Sequence, residues 1–177
     1  MKLAKPPRYK KIPFLTGEKP ENRYVVYSPK KGVLLFVSEI TDADPLLLAD
    51  TERHGVSGSF VRDLSFVMEI PPKRMYRILG IPKSTAARKV SAGGMLSGLS
   101  GTAAIAMARL LGLVEESVHQ STALGNTEFN CAKWLGEWIE KPQPALGGRK
   151  PADLIATPTG VELVAKLLGS AQSGSYQ

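Results

Sequence analysis

Apolar residues from position 57 onward recur at the three- and four-residue spacing of amphipathic helices. The first such stripe follows Ser59 and consists of Phe60, Leu64, Val67 and Met68. Pro71 and Pro72 end this helix, and Pro72 can open the next one at its first position. The inward residues of that second helix are Met75, Ile78 and Leu79, before a stop at Gly80. The pattern therefore predicts two short helices in succession.

Four further helices are predicted downstream, each from a polar capping residue that precedes an apolar run. The capping residues are Ser84, Ser100, Asn126 and Thr157. Gly93-Gly94 terminates the third helix, Pro142 stops the fifth after Glu140, and Pro158 takes the first position of the last. The chain from residue 57 onward is predicted to be helical throughout.

The N-terminal 56 residues have a different character. Four prolines within residues 1–22 favour an extended arm. Two runs rich in β-branched and aromatic residues, RYVVY and VLLFVSEI, flank a turn at SPKKG and predict a small β-hairpin. The predicted fold is mainly α, with an extended or β-hairpin basic arm at 1–56, a helix-turn-helix bundle at 57–124 and a small helical domain at 125–177.

Composition narrows the class of protein. The chain has 177 residues, 43% of them hydrophobic, which is enough to bury a core. The single cysteine, Cys131, cannot form an internal disulfide, and His54 and His119 lie too far apart for a zinc-ligand spacing. No stretch reaches the roughly 18 uncharged apolar residues that a membrane span needs. We expect a soluble cytoplasmic protein without a metal site or a membrane contact.

Catalytic motifs are missing from the sequence. The glycine-rich SAGGMLSGLSG lacks the Gly-Lys-Ser/Thr of a phosphate-binding loop. There is no Gly-x-Ser-x-Gly turn, and neither histidine has a Ser or Cys partner nearby in the sequence. The sequence therefore predicts a protein that is not an enzyme and has no cofactor.

The net charge of +7 is unevenly distributed along the chain. Residues 1–37 and 57–111 are strongly basic, whereas 38–56 and 112–177 carry a net negative charge. A basic block attracts phosphate and supplies the sequence-independent part of nucleic-acid binding, although it can also be a solvated surface. The block at 57–111 is the more informative one, because it coincides with a helical motif.

That motif is PKRMYRILGIPKSTAARKV, which has the layout of a helix-turn-helix with its turn at Gly80-Ile81. Polar residues at the start and outer face of its second helix could contact phosphate, and an arginine there could reach a base edge. The candidate DNA-binding residues are Lys83, Ser84, Thr85, Arg88 and Lys89. The sequence departs from the usual motif at two positions. Tyr76 occupies a position that usually holds a small residue. Lys89 occupies a position that usually holds an apolar residue, and the apolar Val90 follows one position later. A plain helical hairpin in a bundle is the alternative.

The C-terminal quarter carries an ordered set of residues in the end of one predicted helix, the loop after it and the last helix. They are Trp134, Leu135, Pro142 or Pro144, Leu146, Gly147, Gly148, Pro151, Asp153, Leu154, Ile155, Thr157, Gly160, Val164, Leu167 and Leu168. This pattern resembles the toxin-binding domain of Xre/MbcA/ParS-type antitoxins. The resemblance continues upstream in the core Leu79, Gly80, Ile81, Thr85 and Arg88, and it covers about residues 60–177.

The resemblance implies an antitoxin of a type II toxin-antitoxin pair. Such a protein is a dimer that binds its toxin through the C-terminal domain, within a hetero-oligomeric complex, and represses its own operon by binding operator DNA. The partners are most often RES-domain toxins, which consume NAD, and the antitoxin tail plugs the toxin's active-site entrance. The implied toxin-binding residues are Leu146, Gly147, Gly148, Arg149, Pro151, Gln172, Ser173, Gly174, Ser175, Tyr176 and Gln177.

Two other readings of the sequence stay open. One is a helix-turn-helix transcriptional regulator that has no toxin partner. The other is a toxin-binding interaction protein whose helix-turn-helix has degenerated, as Tyr76 and Lys89 could suggest.

Overall fold

The computed structural model of the chain describes residues 23–121 and 129–172, and every structural statement below refers to these residues. The helices are α1 (Val33–Thr41), α2 (Pro45–His54), α3 (Gly58–Val67), α4 (Pro72–Ile78), α5 (Lys83–Thr85), α6 (Gly98–Ser121), α7 (Cys131–Ile139) and α8 (Pro158–Gln172). Helix α5 continues directly into a π-helical turn, Ala86–Val90, and two 3₁₀ turns lie at Pro144–Leu146 and Pro151–Asp153. The mainly α fold predicted from the sequence is confirmed.

Helices α3 and α4 follow the sequence pattern closely. The α3 stripe is buried at Phe60, Leu64 and Met68. Pro72 occupies the first turn of α4, and that helix buries Met75, Ile78 and Leu79. Gly80 ends it with a φ of +62°, a conformation that favours glycine. These predictions are confirmed, because each rests on local signals that tertiary packing did not override.

The long helix α6 is the centre of the fold. It packs against α1 and α2 on the N-terminal side and against α7 and α8 on the C-terminal side. Small residues allow these close approaches, and a Cβ on Gly112 would overlap the hydroxyl of Thr41 in α1. One cluster of buried side chains runs from Tyr27 to Leu168. Helix α6 is also long and apolar enough to cross a membrane, but most of it is buried inside the protein, as expected of a core helix.

The predicted β-hairpin at residues 23–40 is wrong. Its second run forms helix α1, whose buried residues are Val33, Phe36, Val37 and Ile40. These positions have the spacing i, i+3, i+4 and i+7, so burial against α6 selects the helix over the strand. Tyr27 from the first run is also buried and lies edge-on to Phe36, with 5.6 Å between ring centroids.

Residues 45–54 form a second helix where no regular element was predicted. Asp44 caps α2, because its Oδ1 accepts hydrogen bonds from the backbone nitrogens of Leu46 and Leu47, both at 2.9 Å. Helices α1 and α2 therefore belong to the helical body rather than to an arm. The extended arm predicted for residues 1–22 lies outside the described residues.

A short antiparallel strand pair interrupts the helices. Strand β1 (Val56–Ser57) pairs with β2 (Met95–Leu96) in the register Val56 with Leu96 and Ser57 with Met95. The prediction that the chain is helical throughout from residue 57 is wrong at these positions. A Cβ on Gly55 or Gly101 would overlap the carbonyl group of Leu96, so glycine permits the close packing around β2. The pair joins the start of α3 to the segment that follows the π turn.

The predicted helix caps have mixed outcomes. Ser84 lies inside α5, which starts after Pro82, and Ser100 lies inside α6, so neither is an N-cap. The predicted cap Asn126 is outside the described residues, and the helix it was assigned to begins at Cys131. Asn130 caps that helix and accepts a hydrogen bond from the backbone nitrogen of Lys133 at 2.9 Å.

The cap at Thr157 is confirmed. Its Oγ1 accepts a hydrogen bond from the backbone nitrogen of Gly160 at 3.2 Å, and Pro158 takes the first position of α8.

Candidate functional site

The turn between α4 and α5 is held from two directions. The backbone nitrogen of Ile81 donates to the carbonyl of Tyr76 at 2.7 Å, which closes the turn from within. The hydroxyl of Ser100 in α6 donates to the carbonyl of Gly80 at 3.1 Å, which ties the same turn to the core helix. Ile81 is buried beneath it. The position of the following helix is therefore fixed relative to α6.

Residues 83–90, which we call the recognition segment, contain the π turn. The backbone nitrogen of Ser91 donates to the carbonyl of Ala86 at 3.3 Å, a spacing of five residues. A π turn holds more residues than an α turn, so it rotates Lys89 off the face that Ala86 occupies and brings Val90 onto it. Ala86 and Val90 are both buried, whereas Lys89 is half-exposed. The late position of Val90 in the sequence is explained by this turn.

Close backbone packing supports the π turn from the side of α3. The backbone nitrogen of Gly58 donates to the carbonyl of Gly94 at 2.8 Å. A Cβ on Gly58 would come within 2.6 Å of the Lys89 carbonyl oxygen and 2.7 Å of the Val90 Cα. No local signal in the sequence points to this contact at Gly58.

The five candidate DNA-binding residues come together on the outer side of the recognition segment. Lys83, Ser84 and Arg88 are exposed, and Thr85 and Lys89 are half-exposed. Within the described residues, no carboxylate lies within ion-pair distance of Lys83, Arg88 or Lys89. Their side chains are therefore available to a negatively charged ligand.

A second exposed feature is the glycine loop, residues 143–149. The backbone nitrogen of Gln143 donates to the carbonyl of Arg149 at 3.0 Å, and that of Gly148 donates to the carbonyl of Gln143 at 3.0 Å. Gly147 and Gly148 have φ values of +65° and +77°. A Cβ on either residue would meet nothing within 4 Å, so the backbone conformation, and not crowding, requires glycine.

The predicted toxin-binding residues differ in their exposure. Gly147, Gly148 and Arg149 are exposed and Leu146 is half-exposed, while Pro151 is buried. Pro151 opens a 3₁₀ turn beneath the loop, so it supports the loop from inside. Gln172 is the last residue of α8, and the tail residues 173–177 lie outside the described residues.

A charge network connects α4 to the base of the glycine loop. The Arg74 guanidinium donates to both carboxylate oxygens of Glu140 and, at 3.2 Å, to Oδ1 of Asp153. Lys150 Nζ also lies 3.3 Å from Glu140 Oε2. The hydrogen bonds from Arg74 hold the pKa of the Glu140 carboxyl below its ordinary value. Sequence reasoning counted Arg74 only as part of a basic block, because its partners are remote in the sequence.

The Cys131 thiol lies half-buried at the start of α7. Burial, followed by the charge of Glu115, raises the pKa of the Cys131 thiol, so this thiol stays protonated at neutral pH. Among the described residues, no group of three or more His, Cys, Asp or Glu side chains is arranged to hold a metal ion. The structure offers two exposed surfaces, the recognition segment and the glycine loop.

Two comparisons with known proteins bear on these surfaces. The family model described as "Antitoxin Xre/MbcA/ParS C-terminal toxin-binding domain" matches residues 128–174, a stretch that includes α7, the glycine loop and α8. The curated protein "Prs ADP-ribosylating antitoxin" of Sphingobium sp. (strain YBL2) is 30% identical over 135 residues, which make up 76% of this chain and 83% of that protein.

Proposed function

Since this chain belongs to the Xre/MbcA/ParS-type antitoxins of toxin-antitoxin systems, we propose that it neutralises a RES-domain toxin and represses its own operon by binding operator DNA. The observation that carries the proposal is the family match at residues 128–174, which includes the exposed and internally hydrogen-bonded glycine loop. The chain acts by binding and not by catalysis.

The name of the relative supports the proposal that the toxin consumes NAD. That protein is named as an ADP-ribosylating antitoxin, and ADP-ribosyl groups are drawn from NAD. For this chain we propose a partner of the RES class, whose members also consume NAD. Neutralisation then requires only that the antitoxin blocks access to the NAD cleft.

The toxin contact is proposed for the glycine loop and the chain end. Gly147 and Gly148 leave the backbone bare, so a partner can approach it closely, while Leu146 and Arg149 supply an apolar and a charged contact. Pro151 acts indirectly by supporting the loop. The residues from Gln172 to Gln177 continue from α8 and are proposed to enter the toxin's active-site entrance.

Operator binding is proposed for the outer side of the recognition segment. Arg88 reads a base edge, and Lys83, Ser84, Thr85 and Lys89 contact the backbone. A homodimer would place two such segments on the half-sites of a palindromic operator, within a cytoplasmic complex of antitoxin and toxin. A toxin-binding protein with a degenerate helix-turn-helix is the second candidate, favoured by the π turn and by Tyr76.

Co-expression with the product of the adjacent reading frame tests neutralisation. We compare the full chain, a chain ending at Gln172, and Arg149→Ala, and we follow growth, cellular NAD and co-purification. Rescue by the full chain and by Arg149→Ala, but not by the truncated chain, places the essential contact in the last five residues. Rescue by the truncated chain but not by Arg149→Ala places it in the glycine loop. A full chain that neither rescues growth nor co-purifies with the neighbour contradicts the proposed function.

Operator binding is tested separately with Arg88→Ala on the promoter region of the same operon. A repressor loses discrimination between operator and scrambled duplex in this variant, because phosphate contacts carry no sequence information. Absence of repression in both wild-type and Arg88→Ala cells, together with full neutralisation by both, would support the degenerate helix-turn-helix.

A further inference from the structure

A cavity of about 630 Å³ opens between α4 and the recognition segment. We call it the basic cavity, because three cationic residues line it: Lys73 and Arg77 from α4, and Lys83 from α5. Its inner wall is formed by Ile81 and Ala86, both buried, and the hydroxyl-bearing Tyr76 and Ser91 complete the lining. No acidic residue lines the cavity.

The three cations of the basic cavity are exposed. Lys73 and Arg77 also line a neighbouring cavity that contains Glu69, Glu137 and Glu140, without pairing with them. Within the described residues, none of Lys73, Arg77 and Lys83 has a carboxylate within 4.0 Å. Lys73 and Arg77 are four residues apart on α4, a spacing at which like charges repel and destabilise the helix. Arg74, which lies between them in sequence, points away and is neutralised by Glu140 and Asp153. An anion in the cavity would relieve this repulsion.

The shape of the cavity follows from Tyr76 and the π turn. Helix-turn-helix units usually carry a small residue where Tyr76 stands, and here its half-buried ring lies between the two helices. The π turn lies on the opposite side, where Ala86 and Ala87 from the turn and Ser91 after it line the cavity. The two departures from the usual motif thus line one opening, with room for a phosphate group between the helices.

We propose that the basic cavity is a phosphate site for the backbone of duplex DNA, with Lys73 and Arg77 as its ligands beside Lys83. This inference rests on the proposed operator binding and adds contacts to it. Lys83 belongs both to the cavity and to the recognition segment, so the two surfaces are continuous. In helix-turn-helix complexes the first helix of the motif crosses the backbone while the second enters the major groove, and α4 is the first helix here.

The salt dependence of duplex binding tests the assignment. Each phosphate contact contributes about 0.9 to the slope of log K against log salt concentration on B-DNA. We therefore expect Lys73→Gln/Arg77→Gln to lower the slope by about 1.8 between roughly 50 and 200 mM salt, and to weaken operator and scrambled duplex by the same factor. The matched control is Arg53→Gln/Lys166→Gln, which removes the same charges from α2 and α8 and should keep the wild-type slope.

The outcomes separate this inference from the function on which it rests. If wild type binds duplex with a steep slope that the Lys73/Arg77 variant retains, the cavity assignment is overturned while operator binding stands. If wild type binds no duplex at all, the proposed DNA function itself fails. ATP binding at constant ionic strength distinguishes the source of the phosphate, because saturable ATP binding that the Lys73/Arg77 variant loses, while its duplex slope stays that of wild type, would overturn the DNA assignment in favour of a free nucleotide. Circular dichroism checks that all variants are folded.

Discussion

Arg74 and Glu140 form a bidentate ion pair between residues 66 positions apart in the chain, with Nε 2.5 Å from Oε1 and Nη2 3.1 Å from Oε2. Arg74 belongs to α4, the helix before the recognition segment, while Glu140 directly follows α7. Asp153 and Lys150 extend the pair towards the glycine loop. One charge network therefore links the helix before the recognition segment to the base of the glycine loop.

Removal of Arg74 should destabilise the protein measurably. Its side chain is only 24% exposed and makes three charge-assisted hydrogen bonds, so we expect Arg74→Ala to lower the free energy of unfolding by about 1 to 3 kcal/mol. The control is Lys133→Ala, which breaks an exposed pair with Glu69 and should change the stability much less, because water screens that pair. Urea unfolding of both variants measures the difference, and equal losses would contradict a special role for Arg74.

The acid sensitivity of the protein should depend on Glu140. Its folded-state pKa is held below the ordinary value of 4.5, chiefly by the hydrogen bonds from Arg74. This stabilisation is complete above pH 4.5 and is lost as the pH falls through the lower folded-state pKa. Wild type should therefore lose more stability than Glu140→Gln on acidification below pH 4.5. Denaturant unfolding across this pH range measures the stability lost by each protein. In an Arg74→Ala background, the difference that Glu140→Gln makes should be smaller.

Two glycines of the toxin-binding region should respond differently to alanine. At Gly147 a Cβ has open space and the cost is the left-handed backbone, about 1 to 2 kcal/mol, which asparagine should partly recover. At Gly160 a Cβ would overlap the Leu154 carbonyl, and the backbone must shift. We expect Gly160→Ala to lower the melting temperature more than Gly147→Ala. A larger loss of melting temperature in Gly147→Ala would show that the backbone of the turn before α8 shifts at little cost.

The π turn should depend on Gly58. Gly58→Ala places a Cβ 2.6 Å from the Lys89 carbonyl oxygen, so α3 and the recognition segment must separate. We expect a lower melting temperature together with weaker operator binding. Gly169→Ala is the matched control, since a Cβ there meets nothing within 4 Å in α8 and alanine favours a helix by up to about 1 kcal/mol. Amide exchange at Ser91, which bonds to Ala86, reports directly on the turn.

The parts of the fold that were predicted correctly rest on neighbouring residues. Pro72 before α4, Gly80 after it and Thr157 before α8 each act within one turn of the chain, and packing left them unchanged. The run VLLFV was misread because a short continuous apolar stretch does not distinguish helix from strand, and the choice was made by α6.

The candidate sites also combine features that neighbouring residues determine with features that only folding brings together. The cations of the recognition segment were visible as a local motif, and the late position of Val90 was a visible sign of the π turn. The Arg74 network was not predictable from one sequence, because its partners are brought together only by folding. In the sequence, Lys73 and Arg77 contributed only to the positive charge of residues 57–111. The cavity that they share with Lys83 depends on how α4 crosses the recognition segment.

The central position of α6 has a consequence for the lifetime of the protein in the cell. This helix packs against α7 and α8, and through Ser100 it holds the turn before the recognition segment. An opening event that frees α6 therefore loosens both surfaces at once, and a protease that cleaves the opened chain removes both in one step. Operator occupancy and toxin neutralisation should thus decay with a single half-life.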